Sequence, residues 1–285
     1  MKASVIISTY NAEAWLEKVL WGYSCQAEKD FELIIADDGS SPATASLIKK
    51  MEPLMGIPVM HVWHEDHGFR KTEILNKAIL ASRSDYLIFS DGDCIPRNDF
   101  VQQHIKHRQR GRFLSGGYFK LPMDVSNAVG KAEILSQECF LIGWLRSAGI
   151  PSSFRNSKIT SRGFKAKLLN FITTTKPSWN GHNASGWKRD IMAVNGFNMD
   201  MGYGGEDREF GERLTNYGVL GKQIRYSAIC LHLEHERSYA TAAGHKHNQI
   251  IRKENRRNRV TAIRNGISSV KREDDNIKFL TIDRK

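Results

Sequence analysis

Asp91 and Asp93 stand one residue apart in YLIFSDGDCIP (residues 86–96), directly after a run of apolar residues. Carboxylate oxygens suit hard divalent cations such as Mg²⁺ or Mn²⁺. The glycine between the two acids eases a sharp backbone turn, so that both can reach one ion, or the ion and a sugar hydroxyl. An ion held this way bridges a diphosphate and stabilises the charge that develops as it leaves. D-x-D by itself is common in loops, where Asp serves as a turn former. Its place after an apolar strand is what gives it weight.

A second constellation is GYGGEDREF (202–210), in which three glycines lead into Glu206 and Asp207. Acids at a helix start complement the helix dipole. They could also point into one space, where one of them acts as general base towards an incoming hydroxyl. A third is LHLEHERS (231–238). On a strand His232 and Glu234 share a face, and His232 makes a reasonable third metal ligand. In DHGFRKTEILNKAI (66–79), Arg70 and Lys71 precede a helix N-terminus, an arrangement suited to phosphate.

These residues need a frame. SVIIST, FELIIADDGS, PVMHVWHED and YLIFSDGDCIP read as short, β-branched or apolar strands. Helical patterns separate them: EAWLEKVLWGYSCQ, SPATASLIKKME and KTEILNKAILASR, with NDFVQQHIKHRQR after the fourth strand. Such alternation predicts an α/β fold, a mostly parallel sheet with helices on both faces. Ligands then collect beyond the carboxyl ends of the strands. Asp37 and Asp38, Asp66, and Asp91 and Asp93 all fall at those ends, where they would repel one another without a cation or donor groups. After residue 110 the pattern loosens. RFLSGGYFKLP reads as one strand, 130–178 as an irregular basic helical stretch, KQIRYSAICLHLEHERS as one strand, and the tail from His245 as a helix.

With 285 residues, 40% apolar and 26% charged, the chain has the composition of a soluble globular protein. Its four cysteines form no CxxC pair, which argues against a zinc ribbon or a disulfide framework. No 18-residue apolar run is present and the apolar start is short, so a cytoplasmic protein is expected. The net charge of +11 favours anionic partners. Between Cys139 and Arg189 there are nine Lys or Arg and no acid, and a second basic stretch closes the chain.

In this order and spacing, SVIISTYNAEAWL, IIADDGS, HGFRKTEILNKAI and FSDGDCIP resemble the GT-A domain of family 2 inverting glycosyltransferases. NASGWKRDIMAVNGFN with GYGGEDREFGERL resembles the acceptor-side segment of β-galactosyltransferases and enzymes of the bacterial chondroitin-polymerase type. The resemblance implies a GT-A unit over 1–240. Residues 1–110 would bind the nucleotide sugar and 111–240 the acceptor, with a basic insertion near 140–178 and a basic helical tail over 241–285. Thr9 and Tyr10 would line the nucleotide pocket, with Asp37 or Asp38 on the uracil of a UDP-sugar and Arg70 near the diphosphate. Asp91, Asp93 and His232 would hold Mn²⁺ or Mg²⁺. Asp207 would be the base and Glu206 would position the acceptor, while Asn183 and Trp187 would belong to the donor-sugar and acceptor walls. The implied reaction is a single in-line displacement with inversion.

An anionic glycan or glycolipid acceptor, such as lipopolysaccharide core, and peripheral contact with an anionic inner membrane would suit the basic stretches. Nucleic-acid binding, suggested by Arg256, Arg257 and Arg259, lacks a recognition signature and leaves the strand-end acids unexplained. A sugar-nucleotide nucleotidyltransferase would carry a glycine-rich loop after the first strand, where this chain reads STYNAEAW.

Overall fold

The computed structural model describes residues 1–235 and 242–270. The end of LHLEHERS and residues 271–285 of the basic tail lie outside them. The first half is the expected alternation: β1 (Ala3–Thr9), α1 (Glu13–Ser24), β2 (Phe31–Asp37), α2 (Pro42–Met55), β3 (Val59–Trp63), α3 (Lys71–Ala81) and β4 (Tyr86–Asp91). After a short β5 (Cys94–Pro96), α4 (Phe100–His107) leads into β6 (Arg112–Ser115) and β7 (Gly117–Lys120). Short helices follow: α5 (Met123–Ala128) and α6 (Lys131–Ser136), then, within the acid-free stretch, α7 (Ile142–Ser147), α8 (Ser157–Thr160) and α9 (Gly163–Ile172). β8 (Asn183–Trp187), α10 (Lys188–Ala193), α11 (Glu206–Asn216), β9 (Leu220–Gln223), β10 (Ile229–His232) and α12 (Ala242–Arg257) follow.

Seven strands form one sheet in the order β3-β2-β1-β4-β8-β6-β9, parallel except for β8, which runs against both its neighbours. β1 and β4 lie inside this order, so successive side chains point into two different apolar layers rather than alternating apolar with polar. Val5, Ile7, Leu33, Ile35 and Ile88 pack with Leu16, Val19 and Ile48 of α1 and α2. Ile6, Ile34, Leu87 and Phe89 pack on the other face with Ile74 and Ile79 of α3 and Phe210 of α11. This two-sided cover explains the near-continuous apolar run that ends at Asp91.

Two readings of the second half are corrected. RFLSGGYFKLP is two strands in different sheets, because at Gly116 the chain passes so close to the Asn183 side chain that a Cβ there would collide with it. KQIRYSAICLH likewise divides, into β9 of the large sheet and β10 of a three-stranded sheet β5-β10-β7. The expected basic C-terminal helix is present as α12, and it docks on α11. Arg252 Nη2 lies 2.6 Å from Glu212 Oε1 of α11, and Asn255 Nδ2 donates to Glu209 Oε1 at 2.7 Å.

Candidate active site

Parallel register brings the strand ends level: Thr9 pairs with Asp37, and Ser8 with Asp91. A cleft of about 980 Å³ opens beyond them. From the first half it is lined by Thr9, Tyr10, Asp38, Lys71, Asp91 and Asp93, and from the second by His182, Tyr203, Glu206, Asp207, His232 and His235. The Asp91–Gly92–Asp93 turn is tucked against β1, with the Gly92 N–H donating to the Ser8 carbonyl at 2.8 Å. A Cβ at Gly92 would sit 3.1 Å from Thr9 Oγ1 and crowd the cleft wall.

Asp91 accepts from Ser8 Oγ at 2.6 Å and from Lys71 Nζ at 2.8 Å. Burial pushes the Asp91 carboxyl up, but the Lys71 ammonium outweighs it and holds the group below the usual range. Burial likewise opposes the charge on Lys71, yet Asp91, Glu206 and Asp207 together keep it well above its ordinary value. Lys71 is thus the cation around which the carboxylates of the two halves gather. A methyl group placed on Gly181 would lie 3.8 Å from Asp207 Cβ and 3.9 Å from Lys71 Nζ, which shows how closely they converge.

Asp93 faces two imidazoles, with His235 Nε2 at 2.9 Å and His232 Nε2 at 3.8 Å. Burial would raise its carboxyl, but the hydrogen bond from His235 and both rings hold it well below the carboxylate range. His232 Nδ1 lies 2.9 Å from the Leu233 carbonyl. With Nδ1–H donating there, Nε2 presents its lone pair on the Asp93 side of the cleft, the orientation a ligating histidine needs. Cys94 lies in the same cluster. Its thiol is pushed well up by burial and donates to Asp93, so it is a poor ligand beside the oxygens. Asp91 stands outside this cluster, so among the described residues the donors left for a hard divalent ion are Asp93 and His232, with His235 Nε2 2.9 Å from the same carboxylate.

α11 opens at Glu206 behind Gly204 and Gly205, both in the left-handed region (φ +106° and +91°). Glu206 is buried and accepts from the Gly204 N–H at 2.8 Å. Burial first, and then Asp207, raise its carboxyl. Asp207 accepts from the Gly181 N–H at 3.1 Å. The two glycines also admit α12: a Cβ on Gly204 would meet the His245 ring, and Asn248 Nδ2 donates to the carbonyls of Gly202, Tyr203 and Gly204.

Not every expected residue reaches the cleft. Asp37 is buried behind it, bonded to His61 Nε2 at 2.9 Å and to the Ser40 N–H, so of the adjacent acids only Asp38 faces the cleft. Asp38 is held by His64 Nε2 at 2.7 Å and the Arg70 N–H at 3.0 Å. The Arg70 guanidinium turns away to Glu73 and the Glu65 carbonyl, and its neighbour Lys71 faces the cleft instead. Asn183 is wholly buried and bonded to His104, Gly117 and Ala228. Trp187 lies at the far end of the antiparallel β8, opposite Tyr86, with Arg110 3.6 Å over its ring. Lys71, named with Arg70 as suited to phosphate, is the one of the pair that lines the cleft, whereas His182 and His235 line it without having been expected there. Among the described residues, Thr9 Oγ1 and His182 Nε2 are buried polar atoms on this cleft without a hydrogen-bond partner, as expected where a ligand completes them.

Residues 4–139 match the profile of glycosyl transferase family 2, and residues 175–236 match one described as the N-terminal domain of galactosyltransferase. Over 228 residues the chain is 28% identical to validoxylamine A glucosyltransferase of Streptomyces hygroscopicus subsp. limoneus, covering 76% of this chain and 48% of that one. Over 247 residues it is 23% identical to chondroitin synthase of Escherichia coli, covering 81% and 34%. The chain therefore spans less than half the length of these relatives. The fold matches glucosyl-3-phosphoglycerate synthase from Mycobacterium tuberculosis, solved with Mn²⁺, UDP and glucosyl-3-phosphoglycerate, at TM-score 0.53 and 15% identity. The match covers 92% of this chain and 81% of that one, and the architecture is the GT-A fold.

Proposed function

We propose that the chain, whose residues 4–139 match glycosyl transferase family 2, acts on a sugar-nucleotide donor as a metal-dependent, inverting hexosyltransferase. It moves a hexose or N-acetylhexosamine from a UDP-sugar to a hydroxyl of a bacterial surface glycan, such as lipopolysaccharide core, O-antigen or capsule, at the cytoplasmic face of the inner membrane. The observation that carries this reading is the convergence, in one cleft, of Asp91 and Asp93 with Lys71, Glu206 and Asp207.

Thr9, Tyr10 and Asp38 hold the nucleoside end, where the unpartnered Thr9 hydroxyl awaits a donor or acceptor. Asp91, Asp93 and His232, joined by His235, would hold Mn²⁺ or Mg²⁺. When bound, the ion supplies positive charge to the departing diphosphate. Lys71 adds a fixed cation to the same wall. Asp207, anchored by the Gly181 N–H, takes the proton of the acceptor hydroxyl as it attacks the anomeric carbon from the face opposite the diphosphate. Glu206 beside it, with its carboxyl raised by burial, orients that hydroxyl.

Calorimetry with UDP and Mn²⁺ tests the donor side: binding should need the metal and be lost in Asp93→Ala. Metal-independent binding that survives the substitution would sink the assignment. Asp207→Asn should bind UDP as before and lose at least about a hundredfold in transfer. Retained turnover would exclude it as the base. Screening UDP-sugars for hydrolysis identifies the sugar.

A further inference from the structure

Helix α9, GFKAKLLNFI, turns its apolar side outwards. Phe164 is 80% exposed, Leu168 46%, Phe171 87% and Ile172 57%, whereas Ala166 is buried against the protein. At about 100° per residue these four side chains fill one arc of the helix roughly 100° wide. Lys167 borders that arc on one side and Lys165 on the other, both exposed. The inner side is anchored: Asn170 donates to Ser227 Oγ at 2.9 Å and accepts from the Tyr226 N–H at 2.9 Å. The outward face therefore belongs to a helix fixed on the fold, not to a loose segment. Phe154, earlier in the same stretch, is 74% exposed.

We propose that α9 is an in-plane anchor for an anionic lipid surface. Its aromatic and aliphatic arc would enter the boundary between headgroups and acyl chains, while the two lysines would extend along it to lipid phosphates. Charge complementarity selects this occupant. From Cys139 to Arg189 there is no acid to offset the basic residues, so a second copy docked on this face would meet like charge. An anionic bilayer supplies both the apolar medium and the opposite charge. Among the described residues no helix is long and apolar enough to cross a membrane, so attachment by α9 lies within one leaflet. α8, which precedes α9 in the chain, stands close to the cleft wall. Lys158 of α8 lies 5.5 Å over the Tyr118 ring, which packs against His182 at 4.6 Å and His232 at 5.9 Å. The inference does not depend on the transferase reading, because vesicle binding reports on α9 and UDP binding reports on the cleft.

Co-flotation of the full chain with vesicles tests it. The protein should float with phosphatidylcholine–phosphatidylglycerol vesicles at low salt and stay behind with phosphatidylcholine alone. F164S/F171S and K165E/K167E should each reduce flotation by about tenfold or more, with UDP binding and the melting temperature unchanged. Should the double serine variant melt early, Phe171→Ser alone carries the same comparison. The proposal is overturned if the protein stays behind with both vesicle types, or if it floats equally with both. It is also overturned if the variants float as the parent does, or if F164S/F171S converts a dimer into a monomer, which would make a second copy the occupant of the face.

Discussion

Asn183 commits every bond its amide can make in this packing to the protein itself. Its Nδ2 donates to the Gly117 and Ala228 carbonyls, and its Oδ1 accepts from His104 Nε2, whose Nδ1 accepts from Ser185 Oγ. Tyr86 Oη completes the chain at 2.7 Å from Ser185 Oγ. Removing the amide strands buried donors and acceptors on three segments. Asn183→Ala should therefore cost about 2–4 kcal/mol in urea unfolding while leaving the affinity for UDP within about twofold. A large loss of affinity without loss of stability would restore Asn183 to the donor wall. Lys71 makes the opposite case. Without its ammonium, four carboxylates face an incoming diphosphate, and Lys71→Met should weaken UDP binding in calorimetry by about tenfold at fixed metal concentration. Unchanged affinity would mean that the bound ion alone offsets those charges.

Among the elements, α4 is joined to β8 through a single buried ring. Burial pushes His104 down to about 3, with Asn183 pulling weakly the other way. Unfolded, the same imidazole titrates near its ordinary value of about 6.5. The native state thus binds fewer protons between those values. Its contribution to stability is complete above about pH 6.5 and is lost as the pH falls towards 3, by about 1.4 kcal/mol per unit. His182, also lowered first by burial, acts with the same sign, whereas the depressed carboxylates of Asp91 and Asp93 begin to matter only below about pH 4. Urea titrations between pH 7 and 4.5 should show this slope, and it should flatten in His104→Gln.

The same elements show what could be read from residues alone. Strands buried on both faces announce themselves as apolar runs, and their polar ends marked the cleft at Thr9, Asp38, Asp91 and Asp93. The direction of β8 has no such local mark. Running antiparallel, it presents its beginning to the cleft, so His182 arrives there and Trp187 is carried to the opposite edge. Helix phase set the other limit, because one residue is about 100° of rotation, enough to exchange Arg70 for Lys71. The docking of α12 on the glycine loop rests on contacts some forty residues apart, such as Asn248 with Gly204, and these leave no periodic trace.

Across the whole molecule, the first and second halves of the chain share one sheet, and β8 is the strand that sews them together. It alone joins β4 to β6, although β6 precedes it in the chain by some seventy residues. During synthesis, β1 to β4 can therefore assemble from the first 91 residues, but the outer edge of β4 stays bare until Trp187 has left the ribosome. At about 5–20 residues per second, that interval lasts about 5–20 s. A bare, apolar edge is a template for pairing with other chains. A chain ending at residue 175 should accordingly pellet from lysates that keep the full chain in solution, and co-expressed chaperone should shift it to the supernatant. If the shortened chain stays soluble unaided, its edge is covered from within the first 175 residues. On this reading, the order in which the ribosome delivers the strands makes the nascent chain a dependent of the cell's holding chaperones from the synthesis of Asp91 until that of Trp187.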